Sequence, residues 1–502
     1  MINIINDIEA KNIDEITIKK GIASKELMKR AGVGIYKEIK KYLAKDSKVL
    51  IVTGRGGNAG DGYVLANELL KHNYEVNIYQ IEKNKEIKNL EAKFYQEEYI
   101  ANKGKFIDNL VDQYDIYVDA IFGSGLNKEI SGEYKEVINI LNSFNGLKIS
   151  IDIPSGVNGS TGEIMGIAFK CDYLYTIEFY KIGFIINRGR NYFNKVRIVH
   201  IGLDGSDINN NCFCLNKLDF ARFFPKRERI SNKGTYGRVA LIGGCKEYLG
   251  SILLSYNAIS ALRCGVGYTT LCIPQSLVPL YSLHYPEIMY KGMSDNDGHI
   301  KFNKDDLDSL LKMNAIAIGM GIGISEEVYK VIVYLLNNYE GKLIIDADGI
   351  NSLSKYGIDA LVTHKCDVIL TPHIKEFSRL INKEIKCLNL ETLSYLKEFT
   401  NKYKVIINLK SETSVASDGK TFYFNITGNP SLAKGGSGDV LSGITLGMVV
   451  KNIDLLKEVS LASYILGKAS DFAIETINEN SVIASDIINK ISDVLNYISQ
   501  VK

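Results

Sequence analysis

The most specific chemistry in this sequence lies in a glycine-rich segment that contains one carboxylate. Residues 434–439 read Lys-Gly-Gly-Ser-Gly-Asp, and an apolar stretch predicted as a helix, Val440–Val450, follows directly. Glycines that open a helix present consecutive backbone N–H groups, which bind phosphate oxygens together with the helix dipole. A carboxylate there is a poor phosphate ligand but is well placed as a base toward an attacking hydroxyl. We interpret Asp439 as a catalytic base; the alternative is that it only stabilises the first helical turn.

A second glycine-rich loop lies in the first half of the chain. Residues 54–62 read Gly-Arg-Gly-Gly-Asn-Ala-Gly-Asp-Gly, between a strand-like run and the amphipathic stretch Gly62–Lys71. Such glycines let the backbone approach a ligand closely. Because Gly54, Gly56 and Ala59 satisfy the pattern GxGxxA, an ordinary dinucleotide-binding fold is an alternative, whereas the lack of Gly-Lys-Ser/Thr excludes a P-loop.

Carboxylates also follow two further strand-like runs. Asp119 precedes a Gly-Ser-Gly turn, and Asp152 begins the segment Asp-Ile-Pro-Ser-Gly, which contains Ser155. The carboxyl ends of parallel strands converge on one crevice, where Asn58, Asp119, Asp152 and Ser155 would offer the oxygen ligands that a hard cation prefers. The alternative for each aspartate is a capping or turn-forming role.

The elements that must position these residues alternate between strands and helices. The predicted strands are Lys48–Thr53, Val76–Ile81, Ile116–Ala120, Ile149–Ile153, Gly237–Ile242, Ala315–Ile318, Leu343–Asp346, Val368–Leu370 and Val405–Leu409. The predicted helices include Leu249–Cys264, Leu455–Glu475 and Val482–Ile498. A polar, charged stretch near residues 203–232 interrupts this alternation. The pattern predicts an α/β protein with two parallel-sheet domains, residues 1–212 and 213–502.

Composition excludes several other classes of protein. Hydrophobic residues make up 46% of the 502 residues and charged residues 24%, and the formal net charge is only +2. This balance gives no reason to expect a nucleic-acid partner. No apolar run is long enough to span a bilayer, and the N-terminus lacks the features of a secretory signal. We therefore expect a cytoplasmic protein without a membrane partner.

The motifs of the first half, together with Leu27-Met-Lys-Arg-Ala-Gly, resemble the NAD(P)H-hydrate epimerase family over roughly residues 1–210. The resemblance implies a Rossmann-like domain in which Asn58, Asp119 and Ser155 hold a potassium ion. It also implies contacts with the hydrated nucleotide from Gly57, Asn58, Ala59, Gly60, Asp61, Gly123, Ser124, Gly125, Leu126, Asn127, Lys128, Glu129 and Asp152. The sequence departs from the family at Gly57, where the family has asparagine, and at Ala59, where it has glycine.

The second half carries further polar motifs at predicted strand ends. They include Gly319-Met-Gly-Ile-Gly, Asp346-Ala-Asp, Thr371-Pro-His and the run that begins at Lys410. With the segment around Asp439 they resemble the ADP-dependent NAD(P)H-hydrate dehydratase family, which has a ribokinase-like fold. The resemblance covers about residues 225–500.

That second resemblance also implies a set of binding residues. Ser251, Gly321, His373 and Asp439 would contact the hydrated nucleotide. Lys410, Ser411, Glu412, Thr413, Ser414 and Gly438 would hold the adenine nucleotide, with ADP as co-substrate. Magnesium would bridge the phosphates, and Glu376 is a candidate for binding its waters.

The two resemblances together imply a repair enzyme whose substrates are hydrated NADH and NADPH. One domain would interconvert the two C6 epimers, and the other would dehydrate one of them with ADP. Two alternatives remain open: a vitamin kinase, because the ribokinase-like fold also phosphorylates small alcohols, and a non-catalytic nucleotide-binding protein. We also expect the chain to form a homo-oligomer.

Overall fold

The computed structural model describes residues 1–206, 208–250, 263–281 and 287–500. The chain divides into two compact units, Ile2–Asn210 and Asn211–Lys502, the second of which also includes Met1. Two sequence predictions, the helix Leu249–Cys264 for most of its length and the site residue Ser251, lie outside the described residues.

The first unit contains a parallel sheet. Within its described residues the seven strands run in the order Lys105–Phe106, Glu75–Gln80, Lys48–Thr53, Ile116–Ala120, Leu147–Ile151, Cys171–Ile177 and Phe193–Val199. Its α-helices are Asp7–Lys19, Ser24–Ile39, Gly57–Lys71, Leu90–Ala101 and Gly132–Ser143. A separate parallel pair joins Ile2–Ile5 to Tyr180–Lys181. The central strands Lys48–Thr53 and Ile116–Ala120 are buried over almost their whole length because helices cover both faces of the sheet.

The second unit contains a larger, mixed sheet. Its described strands run in the order Met289–Met293, Tyr268–Pro274, Arg238–Ile242, Ala315–Ile318, Lys342–Ile345, Asp367–Leu370, Ile406–Leu409, Ser414–Ser417, Phe422–Asn425 and Cys212–Cys214. The first seven are parallel, whereas Ile406–Leu409, Ser414–Ser417 and Phe422–Asn425 form an antiparallel meander. A short hairpin pairs Asp295–Asn296 with His299–Ile300.

The helices of the second unit surround this sheet. They are Lys217–Phe223, Val278–Tyr281, Lys304–Asp308, Glu326–Asn338, Ala347–Tyr356, Ile374–Ile381, Leu390–Tyr403, Ser437–Met448, Leu455–Ala473 and Ala484–Ser499. The helix Ser437–Met448 is buried over most of its length: Val440, Leu441 and Ile444 belong to the main core cluster of the unit. Packing of this apolar helix against the sheet fixes the position of its N-terminus, where the glycine-rich segment lies.

The predicted α/β class is confirmed: the seven-stranded sheet of the first unit is parallel, and the sheet of the second unit is parallel from Met289–Met293 to Ile406–Leu409. The strand predictions Lys48–Thr53, Ile116–Ala120 and Ala315–Ile318 match the structure exactly, and the other predicted strands are shifted by one or two residues. In the part of the chain that the structure describes, no helix combines the length and the apolar character needed to cross a bilayer.

The starts of two helices were predicted wrongly. The helix after the first glycine-rich loop begins at Gly57 rather than Gly62, and the helix that carries Asp439 begins at Ser437 rather than Val440. Glycine has a low helix propensity, which suggests a loop from sequence alone. Tertiary packing overrides it, since a Cβ at Gly60 would lie only 3.1 Å from the Cα of Ala92.

Candidate active sites

A cavity of about 750 Å³ lies at the carboxyl edge of the first unit's sheet. Of the substrate residues predicted for this unit, those on its wall are Gly57, Asn58, Asp61, Gly123, Ser124, Gly125, Leu126, Asn127, Lys128, Glu129 and Asp152. Ala59 and Gly60 do not line it. They are buried in the helix Gly57–Lys71, where Ala59 belongs to the core cluster and Gly60 packs against Met28. The volume is in the range of small-molecule and cofactor sites.

The three residues predicted to hold a cation meet around the backbone of Phe122. The side-chain amide of Asn58 donates to the carbonyl oxygen of Phe122 at 3.0 Å, and the N–H of Phe122 donates to Ser155 Oγ at 2.9 Å. Ser155 Oγ in turn donates to Asp119 Oδ1 at 2.5 Å. All three side chains are buried, so the structure brings the predicted group together.

The remaining bonds of these residues distinguish Asn58 from Asp119. Asn58 Oδ1 is buried without a hydrogen-bond partner among the described residues. Both oxygens of Asp119 are already engaged, because Oδ1 also accepts from the N–H of Ile121 and Oδ2 accepts from Ser150 and the N–H of Ser155. Burial raises the pKa of Asp119, and the bonds from Ser155 and Ser150 oppose that rise.

The cavity of the first unit also contains two charged residues that the sequence analysis missed. Asp14, on the helix Asp7–Lys19, and Lys181 both line its wall. Lys181 is buried, and its ammonium group lies 2.5 Å from Asp152 Oδ1. Asp152 adopts a φ of +67°, which is unusual for a residue other than glycine and often marks a functional site. The sequence feature that could have revealed Lys181 is its position just after the end of the strand Cys171–Ile177.

An ion pair lies at the carboxyl edge of the second unit's sheet. Lys410 Nζ lies 2.8 Å from Asp346 Oδ1, and Ser442 Oγ donates to the other carboxylate oxygen of Asp346. Burial alone would lower the pKa of Lys410, but the charges of Asp346, Glu376 and Asp439 raise it above its ordinary value. Lys410 is therefore a fixed cation beside the glycine-rich segment.

That segment, residues 434–439, forms a turn with the features of an anion-binding site, and we call it the anion-binding turn. Gly436 precedes the helix Ser437–Met448 with a φ of +93°, and no side chain caps the helix. Ser437 Oγ is buried without a hydrogen-bond partner in the described part of the chain. A Cβ at Gly438 would lie 3.5 Å from Lys410 Nζ, and Asp439 lies in the first helical turn. The N-terminus of this helix therefore brings together backbone N–H donors, the hydroxyl of Ser437, the ammonium group of Lys410 and the carboxylate of Asp439.

His373 and Glu376 cap the neighbouring helix Ile374–Ile381. His373 Nδ1 accepts from the N–H groups of Lys375 and Glu376, and Glu376 accepts from the N–H of His373 at 2.8 Å. Burial lowers the pKa of His373, so its ring is neutral at pH 7. The side chain of His373, which carries the second ring nitrogen Nε2, is half-exposed. Glu376 is buried, and its carboxylate caps the helix.

The other predicted nucleotide residues lie at the ends of adjacent strands. Gly321 has a φ of +58° in the turn after Ala315–Ile318, and the N–H of Gly323 donates to Asp348. Lys410, Ser411, Glu412, Thr413 and Ser414 form the connection from the strand Ile406–Leu409 to the strand Ser414–Ser417. The N–H of Lys410 bonds to the carbonyl oxygen of Pro372, which holds this connection beside His373.

Each unit is thus a parallel-sheet domain with a polar site at the carboxyl edge of its strands, the arrangement of a nucleotide-handling α/β enzyme. Comparisons with known proteins identify the class of this enzyme more narrowly. A family model described as NAD(P)H-hydrate dehydratase matches residues 239–493, and one described as YjeF-related protein N-terminus matches residues 24–183.

Relatives match nearly the whole chain. A bifunctional NAD(P)H-hydrate repair enzyme from Dictyoglomus turgidum is 31% identical over 481 residues, which are 92% of this chain and 92% of that protein. Its namesake from Hyperthermus butylicus is 30% identical over 520 residues, with coverage of 98% and 92%. A solved hypothetical protein from Streptococcus mutans is 26% identical with a TM-score of 0.50, and the match covers 57% of this chain and all of that one. The chain belongs to the bifunctional NAD(P)H-hydrate repair enzyme family, and the prediction of an enzyme with two activities is confirmed.

Proposed function

We propose that this enzyme repairs hydrated NADH and NADPH in two steps, epimerisation at C6 followed by ADP-dependent dehydration of the S epimer. We assign the first step to residues 1–212 and the second to residues 213–502. The observation that supports the second step most directly is the anion-binding turn, in which Asp439 stands beside Lys410 at the N-terminus of a buried helix. A protein that only binds a nucleotide has no need of a base at that position.

In the proposed dehydration, Asp439 accepts the proton of the C6 hydroxyl while the oxygen attacks the β-phosphorus of ADP. The bond between the β-phosphorus and the bridging oxygen breaks, and AMP leaves. Phosphate then leaves C6 with the electron pair of the C–O bond and takes up the proton that C5 loses, and the C5=C6 double bond that forms restores the dihydronicotinamide ring. The N–H groups of residues 436–438 would stabilise the transferring phosphoryl group, an effect worth roughly 3–4 kcal/mol per donor.

The other residues of this site would bind and orient. Lys410, Ser411, Glu412, Thr413, Ser414 and Gly438 would hold ADP, whereas Ser251, Gly321 and His373 would contact the hydrated nucleotide. Magnesium would neutralise charge on the phosphates, and since this ion keeps several waters and few protein ligands, the site needs no carboxylate cage. Glu376 is a poor candidate for contacting those waters, because its carboxylate is buried in the helix cap.

In the first unit, the buried group around Phe122 supports a potassium site. Asn58 Oδ1 is an unpaired, buried oxygen, which is the kind of neutral donor that a large monovalent cation accepts. Ser155 would contribute its hydroxyl oxygen, and Asp119 would supply the negative charge next to it. The ion would fix the start of the helix Gly57–Lys71 against the substrate phosphates and reduce their charge.

One assay tests both activities together. Each purified epimer of hydrated NADH is incubated with the enzyme and ADP, and the absorbance of reduced nicotinamide is followed. We expect full conversion of both epimers, with one AMP and one phosphate per NADH. A stable phosphate ester in place of NADH would indicate a kinase, and binding without turnover would indicate a non-catalytic protein.

Two properties of the whole protein complete the proposal. We place the enzyme in the cytoplasm and expect a homo-oligomer. Sedimentation of the purified chain measures the second property, and a single species at the mass of one chain, 55.9 kDa, would contradict it.

A further inference from the structure

The cavity of the first unit contains two carboxyl groups for which the cation site has no use. Asp14 projects from the helix Asp7–Lys19 and Asp61 from the helix Gly57–Lys71, and both line the cavity wall. They lie close enough to interact electrostatically, and both also interact with Asp152 and Lys181. Asp14, Asp61, Asp152 and Lys181 therefore form an interacting group in this cavity, whose wall also includes Lys128 and Glu129.

Of these carboxyl groups, the ammonium group of Lys181 forms an ion pair with that of Asp152. Lys181 Nζ lies 2.5 Å from Asp152 Oδ1, and it also donates to Thr176 Oγ1 at 3.2 Å and to the carbonyl oxygen of Ile177 at 2.8 Å. Asp152 is thus the direct ion-pair partner of Lys181. In the described part of the chain, neither Asp14 nor Asp61 forms an ion pair, so both carboxyl groups can exchange protons with a bound molecule.

The two remaining carboxyl groups have different affinities for protons. Burial, followed by the charges of Asp152 and Asp14, raises the pKa of Asp61 well above its ordinary value. Asp14 lies on the cavity wall with an exposed side chain, and partial desolvation there, followed by the charge of Asp152, raises its pKa to about 6. Asp61 therefore binds its proton more tightly than Asp14, and in such a pair one carboxyl group can donate a proton while the other accepts one.

We propose that Asp14 and Asp61 are the proton-transfer pair of the epimerase, with Asp14 as the initial base and Asp61 as the initial acid. This proposal rests on the epimerase function proposed above. The reaction inverts a carbon that carries both a hydroxyl group and the ring nitrogen. Such a centre can invert by opening and reclosing the ring, which needs one proton acceptor and one proton donor.

The epimerisation proceeds through opening of the ring. Asp14 takes the proton of the C6 hydroxyl, the C6=O double bond forms, and the C6–N1 bond breaks with its electron pair going to N1. Asp61 gives its proton to N1. Rotation about the C5–C6 bond turns the other face of the aldehyde toward N1, and reclosure returns both protons to their carboxyl groups. No oxidant, reductant or second substrate is consumed.

The matched variants are Asp14→Asn, Asp61→Asn and, as the control, Asp7→Asn. Asp7 lies on the same helix as Asp14, and burial likewise raises its pKa to about 6, but it does not line the cavity. We expect kcat for epimerisation to fall 10²- to 10⁴-fold in the first two variants, the usual effect of losing an acid or base. The KM should change less than threefold, and the control should keep its kcat.

Dehydration of the accepted epimer in the same full-length variants provides an internal reference, which should not change. Thermal unfolding of each variant checks the fold, and asparagine replaces aspartate without a change in size. Loss of the solvent deuterium isotope effect on kcat would distinguish proton transfer from a structural role. A variant with more than a third of the normal kcat, or an equal loss in Asp7→Asn, would overturn the proposal. If the unmodified enzyme does not exceed the spontaneous rate of epimerisation, the proposed epimerase function itself fails.

Discussion

Lys410 Nζ and Asp346 Oδ1 form an ion pair, 2.8 Å apart, across the strand Asp367–Leu370, which lies between the two strands that these residues follow. The second oxygen of Asp346 accepts a hydrogen bond from Ser442, one turn into the helix Ser437–Met448. One carboxylate therefore joins the nucleotide-side cation to the helix whose N-terminus forms the anion-binding turn. A change in the charge of Lys410 or Asp346 would therefore also change the geometry of the anion-binding turn.

Replacement of Lys410 by methionine should affect both stability and ADP binding. Asp346 is 1% exposed, and removing its partner would leave a buried, unpaired charge, which typically costs about 3–5 kcal/mol of unfolding free energy. The KM for ADP should rise at least tenfold. Urea unfolding and steady-state kinetics measure the two effects. The double variant Lys410→Met/Asp346→Asn should regain much of the stability without regaining ADP affinity; recovery of affinity would show that Lys410 acts only as a structural partner.

Asp439→Asn should abolish dehydration and leave ADP binding largely intact. Asparagine keeps the size of the side chain but cannot accept the hydroxyl proton, so we expect a loss of ~10²- to 10⁴-fold in kcat. Calorimetric titration with ADP and the rate of NADH formation are the measurements. Epimerisation in the first unit should continue at its normal rate. More than half the normal turnover would remove Asp439 from the mechanism.

The sequence predicts the sheet class and the strand ends because parallel strands are short apolar runs that end in polar turns. It predicts less well where packing overrides local preference. The helix Ser437–Met448 takes up Ser437 and Gly438 because its apolar face is buried in the core. The motifs also place Asn58, Asp119 and Ser155 correctly near one another, but they give no indication that Phe122 links them through its backbone.

Residues distant in sequence from any motif were harder to find. Asp14 lies on an otherwise ordinary polar helix, and only the fold brings it to the cavity that also contains Asp61. Lys181 is similar, since a lone lysine in a sequence is usually exposed, whereas this one is buried against Asp152. A pairing of this kind depends on tertiary structure rather than on local spacing.

The two activities should be separable. Residues 211–502 form a compact unit with a sheet and a core of their own. A chain that begins at Phe213 should therefore retain ADP-dependent dehydration of one epimer. Circular dichroism confirms folding, and the absorbance assay measures activity. A folded fragment that is inert toward both epimers would show that the site needs residues from the first unit.

Epimerisation should depend on potassium, because the proposed cation site lies in the first unit. Dehydration of the accepted epimer should not change when potassium in the buffer is replaced by sodium or choline. Asp119→Ala should slow epimerisation, although it also removes the acceptor of four hydrogen bonds. Asn58→Leu is therefore the sharper variant, because it removes only the unpaired Oδ1 and the amide donor. Equal epimerisation in all three cations, with Asn58→Leu unaffected, would mean that these residues only shape their turns.

The raised pKa of Asp14 predicts how stability depends on pH. Its ordinary pKa is 3.8, and partial desolvation at the cavity wall, followed by the charge of Asp152, raises it to about 6 in the folded state. Between these values the folded state binds more protons than the unfolded state, so the unfolding free energy should fall as pH rises from 4 to 6. Asp14→Asn removes this group from the titration. The melting temperature of the variant should therefore equal that of the unmodified protein near pH 4 and exceed it at pH 8.

Differential scanning calorimetry of the full chain at pH 4, 6 and 8 measures this difference. Leu27→Ala, a cavity-forming change in the same unit, provides the comparison, because it should lower the melting temperature similarly at every pH. Because Asp14 is solvent-accessible at the cavity, we expect a rise of only a few degrees at pH 8. A difference between Asp14→Asn and the unmodified protein that is constant across pH would mean that the carboxyl group titrates normally, and the proton-transfer pair would then lack its base of intermediate pKa.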